Sequence, residues 1–161
     1  MKIATTIGDM YALSQTPAAA VKLFEESGFR YLDYSFSCSV SDPNDLLLSD
    51  NWKEEIYARK HAADELGFTF VQAHAPLNAT RGEDFEKTVL ATIRSIEACG
   101  ILGIKNMVVH SGCFSECKYP DDQLAYSKTI EPFFRALIPA MERHNVHILF
   151  EKSLFYSIMR K

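Results

Sequence analysis

Short apolar runs alternate with longer amphipathic segments along all 161 residues, and this alternation limits the fold more than any other feature. The apolar runs predict five strands, at 2–7, 30–36, 68–73, 104–109 and 146–150. Helical spacing predicts four helices between them, at 17–27, 50–66, 83–102 and 123–144. A strand and its helix recur every roughly 30 to 40 residues, which is typical of successive βα units with parallel strands. We therefore predict one α/β domain over residues 1–161.

Residues at the ends of the predicted helices support these boundaries. Thr16 suits an N-cap and Pro17 the first helical position, while Gly28 follows the predicted end. Asp50 is the expected N-cap of the next helix, which Gly67 is expected to end.

Two folds fit this order of elements: a doubly wound open sheet and a (β/α)8 barrel, also called a TIM barrel. The first βα turn lacks a GxGxxG sequence, which disfavours a dinucleotide-binding sheet. For a barrel we expect sequential parallel strands with all helices on the outer face. Antiparallel neighbours, or helices on both faces, would contradict it.

Composition argues against nucleic acid and membranes as partners. A net charge of −4, without a cluster of Lys and Arg, argues against nucleic acid. The N-terminus has no apolar signal segment, and no other segment approaches the roughly 18 apolar residues of a membrane span, so we expect a cytoplasmic protein. The four cysteines form no CxxC pair, which favours reduced thiols. A metal site at Cys113 and Cys117, four residues apart, is the alternative for that pair.

Polar side chains recur where the predicted strands end. They are Asp33 in the second strand, His74 after the third, His110 after the fourth and Glu151 after the fifth. The carboxyl ends of parallel strands build the active sites of α/β folds. Because side chains alternate across a strand, Gln72 shares a face with His74, so the polar groups can converge at one end of a barrel.

Metal coordination gives these groups a reason to lie in a barrel interior, which otherwise prefers branched apolar residues. Imidazole nitrogen and carboxylate oxygen suit Zn²⁺ or Mn²⁺. Each histidine taken alone is more often a hydrogen-bonded structural residue. The recurrence on three successive strands favours a shared site.

Four segments carry a resemblance to a known family: GFRYLDYSF, ADELGFTFVQAHAPL, GIKNMVVHSG and HNVHILFE. They resemble successive strands in the N-terminal part of the xylose-isomerase-like TIM barrels, which include sugar-phosphate isomerases and epimerases and nucleases of the endonuclease IV type. The resemblance implies that Glu151 is a metal ligand and, in epimerases, a proton-transfer residue. It implies that His74 and His110 match two histidines of the family. Those histidines bind metal in the nucleases and line the substrate pocket in the sugar enzymes. We expect Asp33 to line the same pocket.

The resemblance implies a divalent cofactor, Mn²⁺, Zn²⁺, Mg²⁺ or Co²⁺, and a sugar or polyol substrate. The chain departs from the family in one place, since Lys152 follows Glu151 where Asn is usual. The Asp, His and second Glu of the family's later strands are missing from these 161 residues, and such a barrel needs about 250. We therefore expect a partial barrel of about five βα units, from an isomerase or epimerase lineage but inactive by itself.

Two alternatives to a sugar enzyme stay open, a relative of the abasic-site nucleases and a non-catalytic remnant. The open sheet edges of a partial barrel favour a homo-oligomer. In the segment 152–161, Leu154, Phe155, Ile158 and Met159 form an apolar stripe if the segment is helical. We predict a short amphipathic helix there that covers bare apolar surface, and a frayed terminus is the alternative.

Overall fold

The computed structural model describes residues 3–36, 42, 45–76, 85–110 and 130–151. These ranges contain five strands: β1 (Ala4–Thr6), β2 (Tyr31–Ser35), β3 (Thr69–His74), β4 (Asn106–His110) and β5 (His147–Glu151). They form one sheet in the order β1-β2-β3-β4-β5, and every neighbouring pair is parallel. The predicted α/β arrangement of sequential parallel strands is confirmed. Right-handed crossovers in a sequential order place the connecting helices on one face of the sheet.

The same ranges contain five α-helices: α1 (Gly8–Leu13), α2 (Pro17–Lys22), α3 (Trp52–Glu65), α4 (Phe85–Leu102) and α5 (Glu131–His144). A 3-10 turn at Leu46–Leu48 precedes α3. Each of these five helices contacts the next of the five, as expected for a single layer outside the sheet. None of the helices within the described ranges has the length and apolar composition needed to cross a membrane.

Two predictions about helix starts had different outcomes. The Thr16 N-cap is confirmed, because its Oγ1 accepts a hydrogen bond of 3.2 Å from the Ala19 N–H. The Asp50 N-cap is wrong: Asn51 takes that position and makes no side-chain capping bond. Glu54 in the first turn of α3 supplies the negative charge that favours a helix N-terminus.

The first two helices depart most from the prediction. α1 was not predicted, and α2 ends at Lys22 instead of continuing to residue 27. After Lys22 the chain tightens into turns, in which the N–H groups of Phe24 and Ser27 bond to carbonyls three residues earlier. Continuing the helix would place Glu25 at its C-terminal end, where negative charge is unfavourable.

Side chains of the central strands alternate between the helix layer and the opposite side. Leu32 and Tyr34 of β2 are buried, and Asp33 between them is only partly buried. We call the side opposite the helices the open face; it carries Asp33, Gln72, His74, His110 and Glu151, which contact one another in sequence. The core therefore lies between sheet and helices, and the polar groups lie on the other side.

A bulge in β3 changes the register between β2 and β3. Leu32 pairs with Phe70, but Asp33 pairs with Gln72, so Val71 is an extra residue. Phe70 and Ala73 are consequently both buried although they are three residues apart. The bulge thereby brings Gln72 to the same side as Asp33.

The β5 edge of the sheet exposes apolar surface. Leu149 and Phe150 are both exposed, and Phe134 and Ile138 of α5 line an adjoining groove with Ile148. Two predictions, the metal site at Cys113 and Cys117 and the helix at 152–161, lie outside the described residues.

Candidate functional site at the carboxyl ends of the strands

Four strands each deliver one predicted site residue to the same end of the sheet. His74, His110 and Glu151 are the last residues of β3, β4 and β5, and Asp33 lies two residues before the end of β2. His110 and Glu151 are direct partners in the register of β4 and β5. The predicted convergence of these residues on one face is therefore observed.

Asp33 connects β2 and β3 through both of its carboxylate oxygens. Gln72 Nε2 donates to Asp33 Oδ2 at 2.8 Å, and His74 Nδ1 lies 3.1 Å from Asp33 Oδ1. The Asp33 side chain is only 13% exposed. An ionised carboxylate only accepts hydrogen bonds, so His74 Nδ1 carries the proton in this pairing. In the neutral form of that imidazole, the lone pair is on Nε2.

His110 and Glu151 form a looser pair at the β5 edge. His110 Nδ1 lies 3.6 Å from Glu151 Oε2, which is too long for a hydrogen bond. Two atoms that each bind one tetrahedral ion at about 2.1 Å are separated by about 3.4 Å. The spacing of this pair therefore suits two ligands of a shared divalent ion. Glu151 is 55% exposed, so the pair is open to ligands from solvent.

The two histidines join these pairs into one row. Their ring centroids are 6.1 Å apart with an interplanar angle of 23°. Within the described ranges, however, no three His, Cys, Asp or Glu side chains are grouped closely enough to hold a metal ion. The site thus contains one pair of atoms, His110 Nδ1 and Glu151 Oε2, at the distance expected for two ligands of one ion. The imidazole of His74 lies beside this pair.

Cys99 of α4 is affected by the charge of Asp33. Burial raises the pKa of the Cys99 thiol, and the negative charge of Asp33 raises it further. Cys99 therefore stays protonated, and it is a packing residue on the helix side instead of a metal ligand.

Gln72 was placed on the face of His74 by the sequence pattern but was not assigned a role in the site. Its signal was present, because the two-residue period places it on the same face as His74. Its contact with Asp33 had no sequence signal, since that contact depends on the bulge at Val71. The metal-binding, substrate-binding and catalytic roles predicted for Asp33 and the other three residues stay predictions.

Comparisons of the sequence with models of protein families and with curated proteins found no match. Solved structures do match. The 3-keto-D-glucoside 4-epimerase of E. coli is 21% identical with a TM-score of 0.62, over 93% of this chain and 55% of its own. The chain has the fold of part of a xylose-isomerase-like TIM barrel.

Two further solved structures are similar to this partial barrel. The IolI protein, solved with a bound zinc atom, is 16% identical with a TM-score of 0.60, over 94% of this chain and 51% of its own. An AP endonuclease of family 2 from Brucella melitensis is 13% identical with a TM-score of 0.62, over 92% of this chain and 54% of its own. The partial barrel spans about half the length of these structures, and at such identities the likeness concerns the fold.

Proposed function

We propose that the partial barrel belongs to a divalent-metal-dependent enzyme that isomerises or epimerises a sugar, a sugar phosphate or a related polyol. The observation that carries the proposal is the His110–Glu151 pair, 3.6 Å apart at the carboxyl ends of parallel strands. That end of a barrel is where active sites lie. The likeness to a 3-keto-D-glucoside 4-epimerase and to a zinc-bound IolI protein supports the same reading.

Each residue of the row has a proposed task. His110 and Glu151 hold the metal, and His74 is the next available donor. When bound, the metal polarises a carbonyl and a neighbouring hydroxyl of the substrate. Glu151 is exposed enough to remove and return the proton on the adjacent carbon. His74 binds a substrate hydroxyl, and Asp33 lines the same pocket beside it. Zn²⁺ and Mn²⁺ suit the nitrogen and oxygen donors best, and Mg²⁺ and Co²⁺ are the alternatives.

For residues 1–161 alone we expect weak metal binding and no appreciable turnover. Catalytic metals need at least three protein ligands. In the parts of the chain that are described, two ligand atoms lie at ion-sharing distance and a third donor lies beside them.

Paramagnetic broadening by Mn²⁺ tests the site residue by residue. In NMR spectra we expect the imidazole signals of His74 and His110 to broaden before that of His61. Glu151→Gln should raise the Mn²⁺ concentration required by at least about tenfold, because it removes a charged ligand. Glu65→Gln is the matched control, since Glu65 faces His61 Nδ1 at 3.1 Å on the exposed surface.

Two results would contradict the proposal: no broadening of His110 at millimolar Mn²⁺, or equal broadening in the Glu151→Gln variant. Tight stoichiometric binding that depends on Glu151 would support the site but overturn the expected weakness. A separate experiment tests the substrate class: a neutral ketose added in the presence of Mg²⁺ should shift the His74 signal.

An abasic-site nuclease is the second candidate. It is favoured by the stacked pair of His74 and His110 and by the likeness to an AP endonuclease of family 2. The net charge of −4 opposes it, because nucleic-acid binding relies on positive charge. Fluorescence anisotropy with a duplex that contains an abasic site separates the two candidates. Binding that is lost in His74→Ala would favour the nuclease.

A further inference from the structure

Asp33 differs from the other residues of the open face because it is largely buried and both of its carboxylate oxygens have polar partners. Its carboxylate is largely buried, and each oxygen has its own partner, Gln72 Nε2 at 2.8 Å and His74 Nδ1 at 3.1 Å. A side chain held from two directions cannot rotate to meet a ligand. Asp33 is therefore better suited to orient its neighbour than to react.

The two histidines of the row differ for this reason. His74 Nδ1 is within hydrogen-bonding distance of a buried carboxylate, whereas His110 Nδ1 lies 3.6 Å from the exposed Glu151. The first contact selects one tautomer, and the second is too long to do so. Of these two histidines, His74 is the one whose ring and tautomer are fixed before a ligand binds.

We infer that Asp33, held by Gln72, is a positioning residue that keeps the proton of His74 on Nδ1 and presents Nε2 either to the metal or to a substrate hydroxyl. The inference rests on the proposed function for the identity of those ligands. Hydrogen bonding of a ligating imidazole to a carboxylate fixes its ring and raises its basicity. Asp33 thus acts through His74.

The bulge in β3 is what makes this arrangement possible. In an unshifted register Val71 would lie opposite Asp33, because Leu32 is paired with Phe70. The extra residue moves Gln72 opposite Asp33 and leaves His74 two residues further on the same face. Both partners of the carboxylate therefore come from one strand.

The tautomer of His74 can be measured on the full chain without any metal. Long-range proton–nitrogen NMR at about pH 8, above the usual imidazole pKa, reports which ring nitrogen carries the proton. We expect Nδ1–H for His74 in the wild type. In Asp33→Asn the proton should move to Nε2 or divide between the nitrogens, because the amide can satisfy Gln72 and donate to Nδ1.

Two further variants keep the test decisive. Gln72→Met keeps a similar volume and removes the second partner, so a weaker preference for Nδ1–H is expected even if Asp33→Asn folds poorly. Asp64→Asn makes the same chemical change at an exposed ion pair with Lys60 and should leave His74 unchanged. A wild-type His74 with its proton on Nε2 overturns the inference outright.

The Mn²⁺ titration separates this inference from the proposed function. Asp33→Asn should raise the Mn²⁺ needed to broaden His74 by about 10- to 100-fold, the usual effect of losing such a partner. A tautomer that shifts while the Mn²⁺ requirement stays the same overturns the positioning role. If Mn²⁺ broadens nothing in the wild type, the metal-dependent function fails, and the tautomer result still decides whether Asp33 orients His74.

Discussion

Gly8 begins α1 at the point where the chain leaves β1, and it lies against the end of β2. A Cβ at this position would be 2.9 Å from the Ser35 carbonyl oxygen and 3.0 Å from Ser35 Cβ. Ser35 pairs with His74 in the sheet, so any displacement would affect the strand ends that carry the site. We predict that Gly8→Ala lowers the free energy of unfolding.

The magnitude follows from two opposing effects. Alanine is favoured over glycine within a helix by up to about 1 kcal/mol, and by less in the first turn of a helix of six residues. Forcing a methyl group into a filled space typically costs about 1–3 kcal/mol. Because the nearest atom belongs to the backbone of Ser35, it cannot rotate away. We therefore expect a net loss of about 1–2 kcal/mol.

Gly100→Ala is the matched control within a helix. Its Cβ would be 2.9 Å from His144 Nδ1 and 3.2 Å from His144 Cβ. The ring of this partly exposed residue can turn toward solvent, and its Cβ has to move by only a few tenths of an ångström. We therefore expect a stability within about 1 kcal/mol of the wild type, and a smaller loss than at Gly8. Urea unfolding followed by the fluorescence of Trp52, the single tryptophan, measures both variants. Equal stability of Gly8→Ala and the wild type, or equal losses at both glycines, would refute the reasoning.

Two further predictions concern the core and its titration. Leu137→Ala should cost about 2–5 kcal/mol in urea unfolding because Leu137 is fully buried, whereas Leu149→Ala at the exposed edge should cost under about 1 kcal/mol; similar losses would contradict the described core. The raised pKa of Cys99 means that the unfolded chain loses this proton first, so stability should fall as pH rises above about 8.5. Cys99→Ala should flatten that fall up to about pH 10, where Tyr11 and Tyr34, whose pKa values burial also raises, begin to contribute. If stability falls equally with pH in Cys99→Ala, Cys99 is not the cause and the prediction is wrong.

The strands were predictable because their signal is local. All five observed strands overlap the predicted ones, and β3, β4 and β5 extend one residue beyond the predicted ends to include His74, His110 and Glu151. Apolar and β-branched residues between glycine-containing turns are sufficient to mark such segments. Gly28, Gly67 and Gly103 all adopt the positive φ expected of a residue that follows a helix or its last turn.

The short helical elements were harder to predict. α1 has only six residues, too few for a helical period to emerge from the pattern. The end of α2 depends on a choice between four-residue and three-residue hydrogen bonds after Lys22, which similar sequences can make differently. The choice of Asn51 over Asp50 as N-cap is a shift of one residue, the usual uncertainty at helix ends.

The sequence by itself determined which positions are polar and which face each polar residue shares with its neighbours two positions away. Those facts placed Asp33, His74, His110 and Glu151 at strand ends before any contact was known. The tertiary structure alone decided the contacts: Gln72 Nε2 donates to Asp33, His74 Nδ1 lies 3.1 Å from Asp33 Oδ1, and His110 Nδ1 lies 3.6 Å from Glu151 Oε2. Register between strands is set by hydrogen bonds between residues about forty positions apart, and by one extra residue at Val71. A local pattern carries no record of such pairing, because the same alternation fits either register until the sheet forms.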